Sequence, residues 1–443
     1  MKVLKFGGTS VGTPGRMHKL VKLVQPGEPV IIVLSAVSGT TNALTEIANF
    51  LLKKDAAGAL NLIGKMEAQY ELFIRELYRS PGFLEKGREV VASHFGLLRS
   101  LCKDEFGIRE EKIVLAQGEL LSTTLFYNYL QEISLPAVFL SALDFMRIDG
   151  DGEPLLPYIE EHLGKLLSAH KEAQLFITQG YICRNAFGEI DNLKRGGSDY
   201  TASLIGAAVR AGEIQIWTDI DGMHNNDPRY VKNTFPIAEL SFDEAAELAY
   251  FGAKILHPAT VLPARKFNIP VRLLNTMQPA APGTLITAKA KGELFRAVAA
   301  KDGIVAIKLR SSRMLLAYGF LRKVFEVFEQ YKTPIDMIAT SEVAVSLTID
   351  NTAYLDNIVK ELSDYATVEV DRDQTIICIV GNFYAGKEGC AFRVMEAMKN
   401  IPIRMISYGG SENNISMLVN TGFRTKALEA LNEGLFSIKR NIE

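Results

Sequence analysis

Two glycine-hydroxyl segments carry the chemistry this sequence offers. Lys5-Phe6-Gly7-Gly8-Thr9-Ser10 stands near the amino end, and Lys194-Arg195-Gly196-Gly197-Ser198-Asp199-Tyr200-Thr201 lies far along the chain. Paired glycines remove Cβ atoms, so backbone N–H groups can approach an anion closely, and a helix beginning just after them adds its positive dipole end. Lys5 supplies an ammonium. Arg195 supplies a planar fork suited to a carboxylate or phosphate, and Ser198 or Asp199 can cap the helix. Alone, the first segment is more often an ordinary tight turn, and the second fits a simple capped helix equally well. Two in one chain suit a nucleotide, whose phosphates are held from more than one side. The first is not a P-loop, because its lysine precedes the glycines. Gly381-Asn-Phe-Tyr-Ala-Gly386-Lys387-Glu388 is nearer that pattern. Glu388, however, stands where a magnesium-binding hydroxyl is needed and would repel phosphates, so a strand-to-helix loop is expected there.

A third segment is Trp217-Thr218-Asp219-Ile220-Asp221-Gly222, followed by Asn226-Asp227-Pro228-Arg229. It fits either a grip on a nucleotide or a polar loop built on Asx turns. Lys254, within FGAKILHP (251–258), offers a further phosphate counterion.

The elements that must position these groups follow from apolar patterning. Val3, Leu4 and Phe6 read as a short buried strand, and VIIVLSAVS (30–38) as a parallel strand buried on both faces. From Asn42 to about Leu101, spacings of three and four predict a helical lobe, placed before the stretch KIVLAQGELLS. Short apolar runs at 135–142, 173–182 and 214–222 alternate with helical segments such as TASLIGAAVRAG. Strands alternating with helices predict a three-layer α/β domain whose ligands bind beyond the carboxyl ends of the strands. A proline- and glycine-rich segment, QPAAPGTLIT (278–287), precedes a main boundary placed near 290 to 300. Beyond it, residues 319–350 resemble residues 390–420: a helix, a Pro-Ile turn, an apolar strand, a Ser-Glu turn and another apolar strand. Paired small-molecule-sensing modules are expected there, rather than a second active site.

Bulk properties exclude other classes. A chain of 443 residues is too long for one core. Its net charge of −2 and dispersed cations make neither nucleic acid nor an acidic membrane surface an expected partner. No apolar run approaches the roughly 18 residues of a membrane span, and a strand begins within two residues of Met1, so a cytoplasmic location is expected. Cys102, Cys183, Cys378 and Cys390 form no CxxC pair, and the six histidines show no metal-ligand spacing. No protein-bound transition metal is expected.

Taken together, KFGGTS (5–10), VLSAVSGTTN (33–42), QGEL (117–120), KRGGSDYTA (194–202), WTDIDG (217–222), DPR (227–229) and FGAKILHPAT (251–260) resemble the aspartokinases of the amino acid kinase superfamily. The C-terminal repeat resembles a tandem pair of ACT domains, and with no dehydrogenase-like segment after it the monofunctional type is expected. The resemblance implies a three-layer αβα fold with a mostly parallel sheet over residues 1–290. Ferredoxin-like α+β ACT domains would follow at 300–370 and 371–443, a strand near 304–309 being assigned to the second.

It further implies transfer of the ATP γ-phosphoryl group, with Mg²⁺ carried on the nucleotide, to the β-carboxylate of L-aspartate. This reaction is the first step toward lysine, threonine and methionine. Lys5 is then the cation at the transferring group, Gly7, Gly8, Thr9 and Ser10 line the phosphates, and Asp199 holds Lys5 or binds magnesium indirectly. Glu119 would pair with the substrate α-ammonium and Arg195 with its α-carboxylate, with Ser35, Thr41 and Ser198 as neutral donors. Thr218, Asp219, His224, Arg229 and Lys254 fall where the family contacts nucleotide. Two positions depart from the family pattern: Lys194 replaces a glycine and His224 a tyrosine. Met314, Phe320, Leu321, Asp336, Ser341 and Glu342 match positions that bind lysine in lysine-inhibited relatives, although Ala317 replaces a serine there. Lysine is the favoured effector, and a homodimer through the ACT domains, or a higher oligomer, is expected. Other amino acid kinases are the nearest alternative, but an N-acetylated substrate would lack the ammonium that Glu119 would meet. A catalytically silent sensor would have no need of Lys5, Arg195 and Asp199 together.

Overall fold

The computed structural model describes residues 1–24, 27–103, 105–193, 196–252, 258–290, 293–310, 318–383 and 388–436. They cluster into two compact units. One comprises Met1–Met223, Ala238–Phe242 and Ile255–Ala290, and the other His224–Ile237, Asp243–Lys254 and Lys291–Glu443.

The first unit is built on an eight-stranded sheet. Its strands are β1 (Lys2–Phe6), β2 (Val30–Leu34), β3 (Val138–Leu140), β4 (Leu175–Gln179), β7 (Glu213–Thr218), β8 (Glu239–Ser241), β9 (Val271–Asn275) and β10 (Thr284–Thr287). A separate ribbon pairs β5 (Ile182–Arg184) with β6 (Ile190–Asn192). The order in the large sheet is β3-β4-β2-β1-β7-β9-β10-β8, parallel except where β10 meets β9. β2 is wholly apolar and wholly buried, as its unbroken β-branched run requires of a strand covered on both faces. β1 lies between β2 and β7, with Phe6 paired in register with both Leu34 and Trp217. Chain order reverses here, so the carboxyl ends of β1, β2, β4 and β7 open a crevice suited to a ligand.

The helical lobe is longer than its sequence pattern indicated. Helices Thr40–Leu52, Ala56–Leu77 and Pro81–Leu101 are joined by a fourth, Ile108–Glu132, in one core with Leu4, Phe6 and Ile32 of the sheet. The stretch KIVLAQGELLS lies inside that 25-residue helix. Burial round much of its circumference, including Gln117, Gly118, Glu119 and Ser122, erased the one-sided apolar stripe that identifies a surface helix.

The second unit carries a six-stranded antiparallel sheet: β11 (Phe295–Arg310), β12 (Ile338–Thr340), β13 (Ala344–Ile349), β14 (Thr367–Gly381), β15 (Met405–Tyr408) and β16 (Asn414–Asn420), in the order β12-β13-β11-β14-β16-β15. The repeat is plain. Helix Phe320–Gln330 precedes β12 and β13 as helix Cys390–Ala397 precedes β15 and β16. The modules interlock, because β11 and β14 pair along nearly their whole lengths and each runs through both cores. Val305, Ile307 and Leu309 belong to the core of the first module, whereas Phe295 and Val298 belong to that of the second. The strand around 304–309 therefore serves the first module, and residues 295–301 complete the second. Register shifts near Lys301 and Ile304 mark the crossing.

Two segments inside the span 1–290 cluster with this second unit. Asn225, fully buried, donates from Nδ2 to Asn432 Oδ1 at 3.0 Å and accepts at Oδ1 from the Phe235 N–H at 2.8 Å. Asn226 Nδ2 donates to the Leu428 carbonyl at 3.0 Å, and Val231 joins the core around Phe295. Buried amides hydrogen-bonded at both oxygen and nitrogen fix such loops firmly. Among the described residues no helix is long and apolar enough to cross a membrane.

Candidate active site

Lys5 is the last but one residue of β1, and its side chain is only 11% exposed. Its Nζ stands 2.5 Å from Asp199 Oδ1, in the first turn of helix Gly197–Ala208. Gly196 enters that helix at φ +76°, a left-handed conformation that glycine adopts without strain. An ammonium is thus held at the carboxyl end of the central strand, neutralised by a carboxylate from the opposite side of the turn.

The loop after β1 wraps closely round this ammonium. A Cβ on Gly7 would lie 3.5 Å from Lys5 Nζ, and one on Gly8 only 2.9 Å from the Ala36 carbonyl oxygen, in the loop that follows β2. Thr9 is partly exposed, and its carbonyl accepts from Arg16 at 2.7 Å. Ser10 departs from expectation. It is fully buried, and its hydroxyl meets Thr276 Oγ1 at 2.6 Å and the Trp217 carbonyl at 3.3 Å. It braces the loop against the ends of β7 and β9 instead of facing an anion.

Glu119 enters from the long helix and is 3% exposed. Oε1 accepts from the Ala36 N–H at 3.2 Å, while Oε2 is buried with no hydrogen-bond partner among the described residues. Burial pushes its pKa up to about 7, against the Ala36 hydrogen bond and the nearby charge of Lys5, both of which favour the anion. A buried carboxylate oxygen is costly unless a cation or a hydrogen-bond donor completes it. The Ser122 hydroxyl donates to the Ser35 carbonyl at 2.8 Å, pinning the same helix to the loop after β2. Ser35 is partly exposed there. Thr41 lies exposed on the first turn of helix Thr40–Leu52, whereas its neighbour Thr40 is buried and meets the Tyr70 hydroxyl at 2.7 Å. A cavity of about 470 Å³ opens beside Gly12, Ser38 and Gly39, with Gln69 and Tyr70 across it.

The carboxyl end of β4 supplies a feature that sequence reasoning missed. A Cβ on Gly180 would lie 2.5 Å from that of Ser198, so the strand end and the helix start are in direct contact. Tyr181 follows at φ +65°, unusual for an aromatic residue, and its N–H donates to Thr201 Oγ1 at 2.9 Å. A Cβ on Gly197 would strike the Tyr181 ring at 2.4 Å. Both glycines hold Ser198 and Asp199 close to the sheet. Gly180→Ala should therefore push that helix start away and lower kcat/KM at least tenfold, while thermal unfolding falls by only a few degrees. Steady-state kinetics beside a melting curve separate the two effects.

Thr218 and Asp219 close β7, with the Thr218 hydroxyl donating to Asp219 Oδ1 at 3.1 Å. His224 and Arg229 belong to the second unit. The His224 ring meets Thr234 Oγ1 at 3.0 Å, and Arg229 grips Asp227 through Nε at 2.9 and 3.1 Å and through a terminal nitrogen at 2.5 Å. Arg229 is therefore already paired. Burial would raise the Asp227 pKa, but these hydrogen bonds outweigh it and hold the carboxyl below its usual range. In the repeat, Phe320 opens its helix, Leu321 is 39% exposed, and Ser341 and Glu342 are exposed. The Asp336 side chain is 2% exposed and is ion-paired with Lys301. Arg195, Lys254 and Met314, with Lys194 and Ala317, lie outside the described residues.

Comparison with known proteins agrees with this geometry. The model of the amino acid kinase family matches residues 1–275, and that of the ACT domain matches residues 377–435. The chain is 36% identical over 465 residues to the chloroplastic aspartokinase 3 of Arabidopsis thaliana, covering 98% of this chain and 81% of that protein. It is 34% identical over 447 residues to the lysine-sensitive aspartokinase 3 of Escherichia coli, covering 98% and 99%. Among solved structures, Escherichia coli aspartokinase III in complex with aspartate and ADP, in its R-state, matches with a TM-score of 0.86 at 33% identity, over 99% of this chain and 100% of that one. The T-state of the same protein, in complex with lysine and aspartate, gives a TM-score of 0.80.

Proposed function

The chain belongs to the aspartokinases of the amino acid kinase family, and from that premise we propose how its residues divide the work of phosphorylating L-aspartate. As a phosphotransferase with a carboxyl acceptor, it faces an unusual balance of tasks. The β-carboxylate of aspartate, with a pKa near 3.9, is ionised at neutral pH, so the nucleophile needs no base. The work is to bring two anions together and to absorb charge as the phosphoryl group moves.

Lys5 is the group that absorbs it. The observation that carries this reading is its buried ammonium, fixed beside Asp199 and the Gly7–Gly8 turn at the end of the central strand. Asp199 holds the ammonium in place before substrate arrives. Glu119 Oε2, buried among the described residues with no hydrogen-bond partner there, receives the aspartate α-ammonium, with Ser35 and Ser198 as neutral donors at the same strand ends. Thr218 and Asp219 lie toward the nucleotide. Mg²⁺ fits this donor set as a cation carried in on phosphates. Among the described residues no group of three or more histidine, cysteine, aspartate or glutamate side chains could hold a metal, and Asp199 stands beside the glycine loop through its pairing with Lys5. Magnesium commonly binds through phosphate oxygens and one or two carboxylates, where it neutralises phosphate charge.

Around this core the finer reading is a cytoplasmic homodimer or higher oligomer that opens the route to lysine, threonine and methionine, with lysine as feedback inhibitor at the modules of the second unit. The relative called lysine-sensitive supports that choice. Trapping the acyl phosphate with hydroxylamine tests the substrate. Hydroxamate should form from aspartate far faster than from glutamate or N-acetylaspartate; equal rates from glutamate would overturn aspartate as the substrate, and equal rates from N-acetylaspartate would overturn the assignment of Glu119.

A further inference from the structure

One cluster of charged groups in the second unit lies apart from the catalytic residues. Lys301 Nζ stands 2.7 Å from Asp336 Oδ1, 3.0 Å from Asp350 Oδ2 and 4.6 Å from the centre of the Tyr250 ring. The Tyr250 hydroxyl donates to the same Asp336 Oδ1 at 3.0 Å. Two carboxylates and an aromatic face surround one ammonium, a combination that recognises alkylammonium groups in general. Burial works against the Lys301 charge, but hydrogen bonds to Asp336 and Asp350 outweigh it and keep its pKa above that of a free lysine side chain. Asp336 Oδ2 is buried and has no hydrogen-bond partner among the described residues, so the cage keeps acceptor capacity there.

We infer that Asp336, Asp350 and Tyr250 form an ammonium site whose resident is the chain's own Lys301, and that a cationic amino acid acts on this protein by displacing it. The inference rests on the reading of an amino-acid effector at this module. An effector ammonium and the Lys301 ammonium are the same chemical group competing for one carboxylate. A tethered competitor is present at high effective concentration, so it lowers the apparent affinity of the free one.

Tyr250 gives the exchange a route outward. It ends the helix Phe242–Tyr250, which is held to this unit at two further points on the same face. Glu244 Oε1 pairs with Arg296 Nε at 3.4 Å, and Glu247 accepts from Ser411 Oγ at 2.8 Å and from Asn414 Nδ2 at 2.6 Å. Positions 244, 247 and 250 recur at one-turn spacing, so they share a helix face. Arg296, Ser411 and Asn414 belong to the second module and Asp336 to the first, so the helix is fastened to both. Among the described contacts, loss of Asp336 to a ligand removes the tether to the first module and keeps those to the second.

Calorimetric titration of L-lysine into the full chain and into Lys301→Met tests this. Methionine keeps the apolar stem and removes the competitor, so the Kd should fall by about tenfold or more. Asp350→Asn loosens Lys301 while leaving Asp336 paired, and should tighten lysine binding by about two- to fivefold even where Lys301→Met folds poorly. Tyr250→Phe keeps the ring and removes the tether. Its Kd should stay within about threefold, while the lysine concentration for half-inhibition in the hydroxamate assay rises by about fivefold or more. An unchanged Kd in both Lys301→Met and Asp350→Asn overturns the inference and leaves a lysine effector standing. No binding heat in any chain at millimolar lysine removes the effector reading, and the displacement with it.

Discussion

Lys5→Ala should lower kcat by roughly 10²-fold or more, with the larger part of the loss in turnover rather than in KM for aspartate. The reason is where the charge is needed. Ground-state ATP and aspartate are already anionic, but charge shifts between transferring and leaving oxygens only as the phosphoryl group moves. A cation fixed beforehand beside that path has no reorganisation left to do. Lys5 meets this condition, being held within 2.5 Å of Asp199 and enclosed by the Gly7 turn. Single-turnover formation of ADP reads the chemical step directly, and a melting curve taken alongside separates it from any loss of fold caused by leaving Asp199 without its partner. Turnover near that of the wild type would mean that another cation serves the phosphoryl group.

Glu119→Gln should raise KM for aspartate by about 10- to 100-fold, since it removes a buried charge-assisted bond but keeps the shape and the Ala36 contact. The wild type should show a pH signature that the variant lacks. With its pKa pushed up to about 7, the ligand-free carboxyl is largely protonated in mildly acidic solution. An ammonium pairs with the anion, so kcat/KM for aspartate should climb as pH rises through about 7 and then level off. Bound aspartate favours the anion in return, so kcat at saturation should not show that limb. The sign for stability is opposite. A carboxyl whose pKa is raised above its ordinary 4.5 holds its proton more tightly folded than unfolded, so its contribution to ligand-free stability falls as pH rises from about 4.5 to about 7. A flat kcat/KM profile across neutral pH, or an unchanged KM in Glu119→Gln, would remove this residue from the substrate clamp.

How much of this was legible in the sequence depended on whether the deciding contacts were local. The glycine turns announced themselves, because Gly7 and Gly8 end an apolar run and Gly196 and Gly197 precede a helical one, each beside a cation and hydroxyls. β2 was legible from its unbroken β-branched run, and the C-terminal duplication from its recurring Pro-Ile turn. The long helix bearing Glu119 was less so, since burial on most sides leaves no periodicity to detect. Asn226 opened a segment that read either as a grip on a nucleotide or as a polar loop, and in the structure both it and Asn225 are buried. Their partners, Asn432 and the Leu428 carbonyl, stand some two hundred positions away, and nothing local signals them. Ser10 misled for the same reason, its hydroxyl being answered by Thr276. Tyr181 could not have been found at all, because a positive φ at a non-glycine residue is imposed by its surroundings.

The shared strands β11 and β14 bear on how this protein can be cut. The ACT match begins at residue 377, yet the edge of β14 there is completed by residues 295–301, upstream of the whole first module. A fragment starting near residue 371 would leave the row of N–H and C=O groups on that edge unpaired, an invitation for another copy to dock as the missing strand. Neither repeat is thus a cassette to be excised or exchanged between proteins. Anyone transplanting this sensor should carry the stretch from Phe295 onward as a single piece, together with the segments His224–Ile237 and Asp243–Lys254 that cluster with it.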